Sequence, residues 1–490
     1  MIRKGAHSLL MLTIVALGAC HEPPKSVEIT SSPIAISPID FDLDSIIKRG
    51  SLRVIIDNSS TGYFIYKGQP MGYEYDLLDL FSREIGVTLE FLLTTNLPST
   101  FDLLDKGDGD IIAYSLTVTK ERKNKVSFTQ SHIQARQMLV QRKPQNWRDL
   151  KLHEIEKQLI RNPLDLVGKS VHVRPSSSYA ERLRNLSGEI GDDIQIVEDY
   201  EETTQEELIE MVSNGSIDYT IADEHIAMVN ATYYLNIDVK TPISFPQNIA
   251  WAVRKNSTNL LEILDHWIDR MKKTPDYYVI FNKYFKNPKI HLARVRSDYS
   301  NIFSGNKISP YDALIKATAQ DLNWDWKLLA AQIYQESKFD PKARSWAGAI
   351  GLMQMIPETG MAYGVVNLEN PANSLKSGAS HIKWLNDYWK KKVPDSLERT
   401  RFILGSYNAG HGHVLDAYRL TEKYKGDQTK WNEVAQYLLK KSKTQYFNDP
   451  VVNFGYCLCQ EPVQYVENIL YLFDQYSTLI GEDAQIRSSS

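Results

Sequence analysis

Cysteine is scarce in this sequence: among 490 residues, the cysteines are Cys20, Cys457 and Cys459. So small a number excludes the class of small secreted domains that depend on a framework of several disulfides. Cys457 and Cys459 are two positions apart, a spacing at which a bond between them would be strained in an extended strand. We therefore expect two free, packed thiols at these positions rather than a disulfide or a metal site.

An excess of charge of one sign is also lacking, and so are long apolar runs. The 56 lysines and arginines nearly balance the 60 aspartates and glutamates, which gives a formal net charge of −4 at pH 7. This balance argues against general binding of polyanions such as nucleic acid. Beyond the first twenty residues, no segment reads as a transmembrane helix. With 42% hydrophobic residues, a chain of this length is expected to fold into two or three domains.

The N-terminus has the pattern of an export signal. Arg3 and Lys4 precede the apolar run 9–17, which is too short to cross a bilayer as a helix. The run ends in Leu-Gly-Ala-Cys at 17–20, which resembles a bacterial lipobox. The resemblance implies a signal peptide over 1–19, cleavage before Cys20 and acylation of this cysteine. Several acyl chains on one residue would anchor the protein stably to a membrane.

Residues 20–39 would then form the lipidated cysteine and a flexible tether, because this segment is rich in proline and serine. His21 follows Cys20 directly, at the position where an aspartate is associated with retention in the inner membrane of enteric bacteria. We therefore expect attachment to the outer membrane, on its periplasmic face.

Residues 40–292 alternate strand-like and helical patterns. The apolar run 52–56 is typical of a buried strand, and the pattern of 75–85, which ends at Gly86, is typical of an amphipathic helix. Alternation of this kind predicts an α/β fold with a largely parallel sheet, whose ligands lie at the strand ends.

Several stretches of this region resemble the periplasmic solute-binding proteins for polar amino acids: 72–76, 109–122, 126–129, 168–173 and 215–223. The resemblance implies a two-lobed α/β periplasmic-binding-protein fold, with 248–254 returning the chain to the first lobe. It also implies that Ser115, Thr117 and Arg122 hold a ligand carboxylate, while Asp223 meets an α-amino group. Arginine suits the first role because its planar fork matches two carboxylate oxygens. The alternative, that these charges are superficial and the module is a spacer, stays open.

Glu336 lies near the end of a predicted helix over 326–337. One face of this helix carries Trp326, Leu329, Ile333 and Glu336, three of which are apolar. Glu336 should therefore point toward a core, where burial and the negative end of the helix dipole both raise the pKa of a carboxyl. A carboxyl that keeps its proton near neutral pH can act as a general acid. The helix alone also allows a buried glutamate with a purely structural role.

Three motifs downstream favour the catalytic interpretation: Gly-Leu-Met-Gln at 351–354, Tyr-Asn-Ala-Gly at 407–410 and Tyr-Val at 465–466. Together with Glu336 they resemble the Slt-type lytic transglycosylases, lysozyme-like enzymes that cleave peptidoglycan strands between N-acetylmuramic acid and N-acetylglucosamine. The resemblance covers roughly 300–475 and implies a mainly α-helical domain over 293–490. It makes Glu336 the catalytic acid, in a cleft lined by Ser337, Met353, Gln354, Tyr407, Asn408 and Tyr465.

Most glycosidases use two carboxylates, but these motifs supply one obvious candidate. The resemblance implies that the muramyl C6 hydroxyl of the substrate replaces the second, so that the product carries a 1,6-anhydromuramyl end. We interpret Asp340 and Glu358 as caps or solvent-facing charges, whereas Glu461 could order the cleft. Two alternatives stay open: hydrolysis, as in goose-type lysozymes, and a lipid-tethered solute receptor whose lysozyme-like domain only docks on the wall.

Neither a metal nor a cofactor is expected. His411 and His413 flank Gly412, but no third ligand accompanies them at a suitable spacing. We interpret the aromatic residues of 380–389 as core residues of a further helix rather than as ligand contacts. The first domain is expected to bind an amino acid or a muropeptide, and closure of its lobes would adjust access to the catalytic cleft.

Overall fold

The computed structural model describes residues 38–200, 203–287 and 307–480. The predicted signal peptide, Cys20 and nearly all of the predicted tether lie outside these residues, and so does the predicted domain boundary at 292/293. The described residues belong to one compact unit, Pro38–Ser490.

Helices occur throughout the described residues, and the last nine belong to the C-terminal region. Their bounds are α1 Leu43–Arg49, α2 Tyr73–Ile85, α3 Leu97–Lys106, α4 Lys120–Lys123, α5 Leu152–Glu156, α6 Ser178–Ile190, α7 Gln205–Asn214, α8 Glu224–Tyr233, α9 Thr258–Met271, α10 Pro275–Phe281, α11 Asp312–Leu322, α12 Trp326–Ser337, α13 Pro357–Ala362, α14 Pro371–Lys390, α15 Ser396–Ala409, α16 His411–Lys423, α17 Trp431–Lys440, α18 Thr444–Phe447 and α19 Gln460–Ile480. A 3₁₀ helix, Pro163–Leu166, and a π-helical turn, Asn282–Lys286, complete the set.

Strands occur in the N-terminal region. Their bounds are β1 Ser51–Ile56, β2 Phe64–Tyr66, β3 Gln69–Met71, β4 Thr88–Leu93, β5 Ile111–Ile112, β6 Ser127–Phe128, β7 Ile133–Ala135, β8 Gln137–Arg142, β9 Ser170–Val173, β10 Gln195–Glu198, β11 Tyr219–Asp223, β12 Ile237–Pro242, β13 Gln247–Ile249 and β14 Ala252–Val253.

The first lobe is built on a sheet with the order β4-β1-β5-β14-β6. β1 is parallel to β4 and β5, and β14 is antiparallel to β5 and β6. Leu52, Val54 and Ile56 are buried in one core cluster, while Ile55 is buried in another on the opposite face. Burial on both faces explains why this strand is apolar apart from Ser51 and the partly exposed Arg53.

The second lobe contains a sheet with the order β10-β9-β11-β8-β12. Two strands link the lobes, since β7 leads into the second lobe, β13 leads back, and the two pair in antiparallel register. β14 then joins the first sheet, so the predicted return of the chain through 248–254 is confirmed.

The C-terminal region, 307–480, folds into helices joined by loops with a few isolated β-bridges. α12 is its central helix, because Leu329, Ala330 and Ile333 are completely buried. The side chain of Asp325 accepts a hydrogen bond from the backbone N–H of Lys327 at 2.8 Å and so caps the N-terminus of this helix. The predicted order, a two-lobed α/β domain followed by a mainly helical domain, is thus confirmed.

The final helix, α19, connects the two domains. The Tyr75 hydroxyl lies 3.0 Å from that of Tyr471 in α19, and the Tyr63 hydroxyl donates to the side-chain carbonyl of Gln475. The Tyr476 hydroxyl donates to the backbone carbonyl of Gly68, at the tip of the β2–β3 hairpin, over 2.5 Å. Buried hydrogen bonds of this kind fix the relative position of the domains, because breaking them would leave polar groups unpaired.

Within the described ranges, no helix combines the length and the apolar character needed to cross a bilayer.

Candidate active site

A cleft of about 720 Å³ opens in the helical domain beside the C-terminal end of α12. Its volume lies in the range typical of sites for small organic ligands. Five of the residues predicted from the motifs contribute to its wall: Glu336, Gln354, Tyr407, Asn408 and Tyr465.

Glu336 is held between two helices. The phenol of Tyr465, on α19, donates a hydrogen bond to Oε1 of Glu336, on α12. The same phenol oxygen accepts a hydrogen bond from Nε2 of Gln332 at 3.3 Å. Burial and the neighbouring Glu336 raise the pKa of Tyr465 well above its usual value, so this phenol stays protonated and remains a donor.

Burial raises the pKa of Glu336 to about 7. The hydrogen bond from Tyr465 lowers this pKa, whereas the negative charge of Glu461 raises it. Desolvation is the largest of the three effects, because removing a carboxylate from water disfavours its charged form. Glu336 can therefore hold a proton near neutral pH and release it to a bound molecule, as a general acid must.

The backbone is strained directly after Glu336. α12 ends at Ser337, its C-cap residue Lys338 has φ of 52°, and the next residue, Phe339, has φ of 62°. Two consecutive left-handed residues without glycine cost about 1–2 kcal/mol each. Phe339 is buried against the ring of Tyr334, with centroids 5.9 Å apart, so tertiary packing holds the turn in place.

Ser337 and Met353 lie behind the cleft wall and are not among its lining residues. The hydroxyl of Ser337 donates to the carbonyl of Leu352 at 2.9 Å and thereby ties the glycine-rich loop to α12. The side chain of Met353 is completely buried, and it packs so tightly on Gly378 that a Cβ there would lie 2.7 Å from it. These two residues position the wall, and their side chains do not form it.

Gln354, Tyr407 and Asn408 do face the cleft. The amide of Gln354 donates to the carbonyls of Ala343 and Gly351, at 3.0 and 2.9 Å. The hydroxyl of Tyr407 donates to the carbonyl of Met353 over 2.8 Å. Asn408 is exposed, which leaves its amide accessible for hydrogen bonds with a bound molecule.

Several wall residues escaped the sequence analysis. Trp346, Ile356 and Leu458 line the cleft although their side chains are exposed, and Trp346 is fully exposed. No periodicity or motif distinguishes them in the sequence, because each lies outside a helix. Glu461 also lines the cleft, whereas Asp340 and Glu358 are not among the lining residues.

The expectation of free thiols at Cys457 and Cys459 is wrong. The structure joins the two in a disulfide, with their Cα atoms 5.2 Å apart. The expectation assumed a strand, but these residues lie in a loop before α19, where the backbone can turn both side chains toward each other. Leu458, between the two cysteines, forms part of the cleft wall.

A second candidate site lies between the lobes of the first domain, around a small cavity of about 50 Å³. Ser115 and Arg122 line it, and Thr117 and Asp223 lie outside its lining. Arg122 donates to the backbone carbonyl of Thr117 at 2.9 Å, and this hydrogen bond to a nearby loop residue orients its guanidinium group. The hydroxyl of Thr117 accepts a hydrogen bond from Ser178, which belongs to the second lobe, at 3.1 Å.

Asp223 is completely buried at the carboxyl end of β11. In the described part of the chain, neither of its carboxylate oxygens has a hydrogen bond of good geometry. Burial raises its pKa to about 7, although Tyr179 and Arg122 are near enough to lower it. A buried carboxyl of this kind would be stabilised by a cationic group.

The lobes are joined across this cavity by contacts that the sequence analysis missed. Both oxygens of Glu206, in the second lobe, accept from the backbone N–H of Ser60 in the first lobe, at 2.9 and 3.1 Å. Arg174 donates to the carbonyl of Thr95 at 2.6 Å. A cavity of this size is far below the roughly 300 Å³ of typical ligand sites, so a ligand would enter only after the lobes separate.

Two family models match the chain, one for each domain. The model of bacterial extracellular solute-binding proteins, family 3, matches residues 52–287. The model of the transglycosylase SLT domain matches residues 313–431.

Relatives match most of the chain. A protein of Desulfosudis oleivorans named membrane-bound lytic murein transglycosylase F is 33% identical over 428 residues, covering 87% of this chain and 90% of the relative. A protein of the same name from Saccharophagus degradans is 32% identical over 447 residues, covering 90% of this chain and 85% of the relative. Among solved structures, a mutant of ArgBP from T. maritima is 25% identical with a TM-score of 0.42, covering 50% of this chain and 99% of that one.

A substitution at Gly351 tests how closely the loop behind the cleft wall is packed. Its φ is +83°, and an added Cβ would lie 2.0 Å from the carbonyl oxygen of Leu368. Gly351→Ala should therefore lower the free energy of unfolding by more than about 3 kcal/mol, since backbone strain and a steric clash add. Gly348→Ala is the matched control, because Gly348 has φ of +86° and open space around it. It should cost about 1–2 kcal/mol. Urea unfolding followed by tryptophan fluorescence measures both, and equal losses would contradict the packing argument.

Proposed function

This chain belongs to the membrane-bound lytic murein transglycosylase F family, and we propose that Glu336 is the catalytic acid of its peptidoglycan lytic transglycosylase activity. One observation carries the proposal: the cleft places a carboxyl whose pKa is about 7 on its wall. Burial raises the pKa values of Tyr407 and Tyr465, the two phenols of the cleft lining, well above the usual value, so neither exchanges a proton near neutral pH.

In the proposed reaction, Glu336 donates its proton to the glycosidic oxygen between N-acetylmuramic acid and N-acetylglucosamine. The bond from that oxygen to the muramyl C1 breaks, and the N-acetylglucosamine side leaves with a hydroxyl. The ionised Glu336 then accepts the proton of the muramyl C6 hydroxyl, whose oxygen bonds to C1. The C6 oxygen takes the place of water as the nucleophile, so no water is consumed and the new end is a 1,6-anhydromuramyl group. Because the same carboxyl donates one proton and accepts the other, Glu336 is protonated again at the end of the cycle.

Tyr465 supports both halves of this cycle. Its hydrogen bond stabilises the ionised form of Glu336 that exists between the two proton transfers. Gln354, Tyr407 and Asn408 would contact the sugar rings or the N-acetyl groups, since their side chains line the cleft. Ser337 and Met353 would act indirectly, by holding the loop that carries Gln354.

Glu461 is the residue on which the hydrolytic alternative would depend. A lysozyme-type reaction needs a second carboxylate to activate water or to act as a nucleophile. In the transglycosylase reaction, Glu461 instead tunes Glu336, because its negative charge raises the pKa of the catalytic acid.

The first domain would bind a fragment of the cell wall, such as a muropeptide or an amino acid. Arg122 and Ser115 offer donors to a carboxylate, and the buried Asp223 offers a partner to an ammonium group. The stem peptides of peptidoglycan carry both groups. Binding between the lobes would stabilise their closed arrangement and thereby regulate the catalytic cleft.

The enzyme is associated with a membrane and acts in the periplasm, where its substrate lies. We further propose that acylated Cys20 provides this attachment and that the outer membrane is the anchoring membrane. Mass analysis of the membrane-extracted protein would detect the acyl groups on Cys20.

Digestion of purified sacculi tests the reaction. The parent should release products with 1,6-anhydromuramyl ends, and Glu336→Gln should reduce their formation at least about a thousandfold, because an amide cannot donate the proton. Mass spectrometry distinguishes these ends from reducing ends that carry an added water. Reducing ends from the parent would mean a lysozyme, and no release from either protein would leave a receptor that only docks on the wall. Glu358→Gln is the matched control, since it makes the same change at an exposed glutamate outside the cleft lining.

The pH dependence of kcat/KM tests the assigned acid. Glu336 must be protonated to act, so activity should be present below its pKa of about 7 and should fall as the pH rises through that value. Tyr465→Phe removes a hydrogen bond that lowers this pKa, so it should move the basic limb to higher pH. Glu461→Gln removes a charge that raises the pKa, so it should move the limb to lower pH. Shifts in the same direction for both variants would contradict the assignment.

Calorimetry on the full-length chain tests the first domain. Stem peptides should bind with measurable heat, and Arg122→Ala should weaken the binding by about 1.5–3 kcal/mol, the value of a charge-assisted hydrogen bond. Arg83→Ala is the control, because Arg83 is an exposed arginine on α2, outside the cavity. If neither stem peptides nor amino acids produce heat with the parent, the proposed ligand class is wrong.

A further inference from the structure

Helix α14 presents aromatic rings to the solvent. His381, Trp384 and Tyr388 follow one another at intervals of three and four residues and so share one helical face. The ring of His381 stacks on Trp384 at 5.7 Å with an angle of 9°, and Trp384 stacks on Tyr388 at 5.8 Å. The expectation that the aromatic residues of 380–389 are core residues is correct for Trp389, which is completely buried, and wrong for Trp384, which is 41% exposed.

Two rings from other elements extend this row. His411, at the start of α16, meets Trp384 edge-on at 4.9 Å and Tyr388 at 5.2 Å. Phe454 lies 6.2 Å from His411 and is half exposed. We name the set His381, Trp384, Tyr388, His411 and Phe454 the aromatic strip.

One end of the aromatic strip contacts a residue of the catalytic cleft, and the other end is close to a cleft residue along the chain. At one end, the ring of His381 lies 5.3 Å from that of Tyr407, which lines the cleft. At the other end, Phe454 leads into the disulfide-closed loop whose Leu458 also lines the cleft. The strip is therefore a continuation of the cleft surface and not a separate patch.

The strip is held in position by buried polar contacts. The carboxylate of Asp416 accepts from the backbone N–H groups of Asn453 and Phe454, each at 2.8 Å, and pairs with Lys441 at 2.8 Å. Asp416 and Lys441 are both completely buried. The Tyr363 hydroxyl lies 3.1 Å from Nδ1 of His381. Rings fixed in this way lose little conformational freedom when they bind a ligand.

The chemistry of the strip suits sugar rings. Burial lowers the pKa of His381 to about 4 and also lowers that of His411, so both imidazoles are neutral at neutral pH. An uncharged row of ring faces can pack on the C–H faces of pyranose rings, and the indole N–H, phenol and imidazole groups at its edges can bond to hydroxyls. The ammonium of Lys392 lies 4.3 Å from the centroid of the Tyr388 ring, so a cation beside the strip can pair with a carboxylate of the strand.

We propose that the aromatic strip binds the glycan strand where it leaves the catalytic cleft, as additional saccharide subsites that make binding depend on strand length. This inference rests on the proposed function, because it takes the occupant of the cleft to be a peptidoglycan strand. Continuity with Tyr407 and Leu458 selects that occupant, since a strand cleaved in the cleft must emerge over one of its edges.

Strand binding by the full-length chain carrying Glu336→Gln tests the proposal, because this substitution prevents cleavage during the measurement. The probes are peptide-free glycan strands of four and of twelve sugars. The longer strand should bind more tightly, and Trp384→Ala should raise its Kd by about three- to tenfold, the effect of losing one aromatic contact. Phe454→Ala, on a different element, should act in the same direction. Phe245→Ala is the matched control, because Phe245 is an aromatic residue of the second lobe and is 86% exposed.

The outcomes separate this inference from the proposed function. If the Glu336→Gln chain binds both strands and the added substitutions Trp384→Ala and Phe454→Ala leave the Kd of the longer strand unchanged, the strip has no role in strand binding and the inference is overturned. If the Glu336→Gln chain binds neither strand, the proposed function and the inference fail together. An equal loss with Phe245→Ala would also overturn the inference, since the effect would then not be specific to the strip.

Discussion

The catalytic half of the molecule depends on the partial burial of one carboxyl, that of Glu336, between α12 and α19 on the wall of the cleft. Water around Glu336 would return its pKa toward the usual value for a glutamate, and a carboxyl ionised at neutral pH has no proton to donate. The contact between these helices therefore raises the pKa of Glu336 in addition to packing the two helices together. Tyr465 limits the effect of burial, because its hydrogen bond stabilises the charged form that the second half of the reaction requires.

Local sequence information was sufficient to predict α12 and the position of Glu336. The helix spans Trp326–Ser337 as predicted, because its apolar spacing and its Asp325 cap are both local features. The direction of Met353 was not predictable in the same way. Its side chain points into the core because Gly378, on a distant helix, leaves room for it there. Trp384 and Trp389 illustrate the same limit, since both are tryptophans of one helix and only tertiary packing decides which of them is buried.

In the first domain, the resemblance to solute-binding proteins predicted part of the cavity wall and missed the contacts between the lobes. Ser115 and Arg122, which follow β5, line the cavity, whereas Asp223, at the end of β11, lies outside its lining. These positions agree with the rule that ligands lie at the carboxyl ends of parallel strands. Glu206 and Arg174 belong to contacts between the two lobes. Nothing in their own segments indicates a partner, because Ser60 is 146 residues from Glu206 along the chain. Contacts between the lobes depend on how the lobes are arranged, whereas a local sequence pattern predicts only the helices and strands within each lobe.

The β2–β3 hairpin gives the two domains a common boundary close to Glu336, the proposed catalytic acid. A Cβ on Gly68 would lie 2.6 Å from Tyr334 and from Phe339, which flank Glu336 in the sequence, and 3.1 Å from the Tyr476 hydroxyl on α19. The first domain thus touches both helices that bury the carboxyl. A ligand of the first domain that shifts this hairpin would change the packing around Glu336 and therefore the free energy of strand binding in the cleft. By thermodynamic linkage, a strand bound in the cleft must then change the affinity of the first domain by the same factor. One coupling free energy between the two sites would then set both the effect of a wall fragment on strand binding and the effect of a bound strand on the affinity for wall fragments.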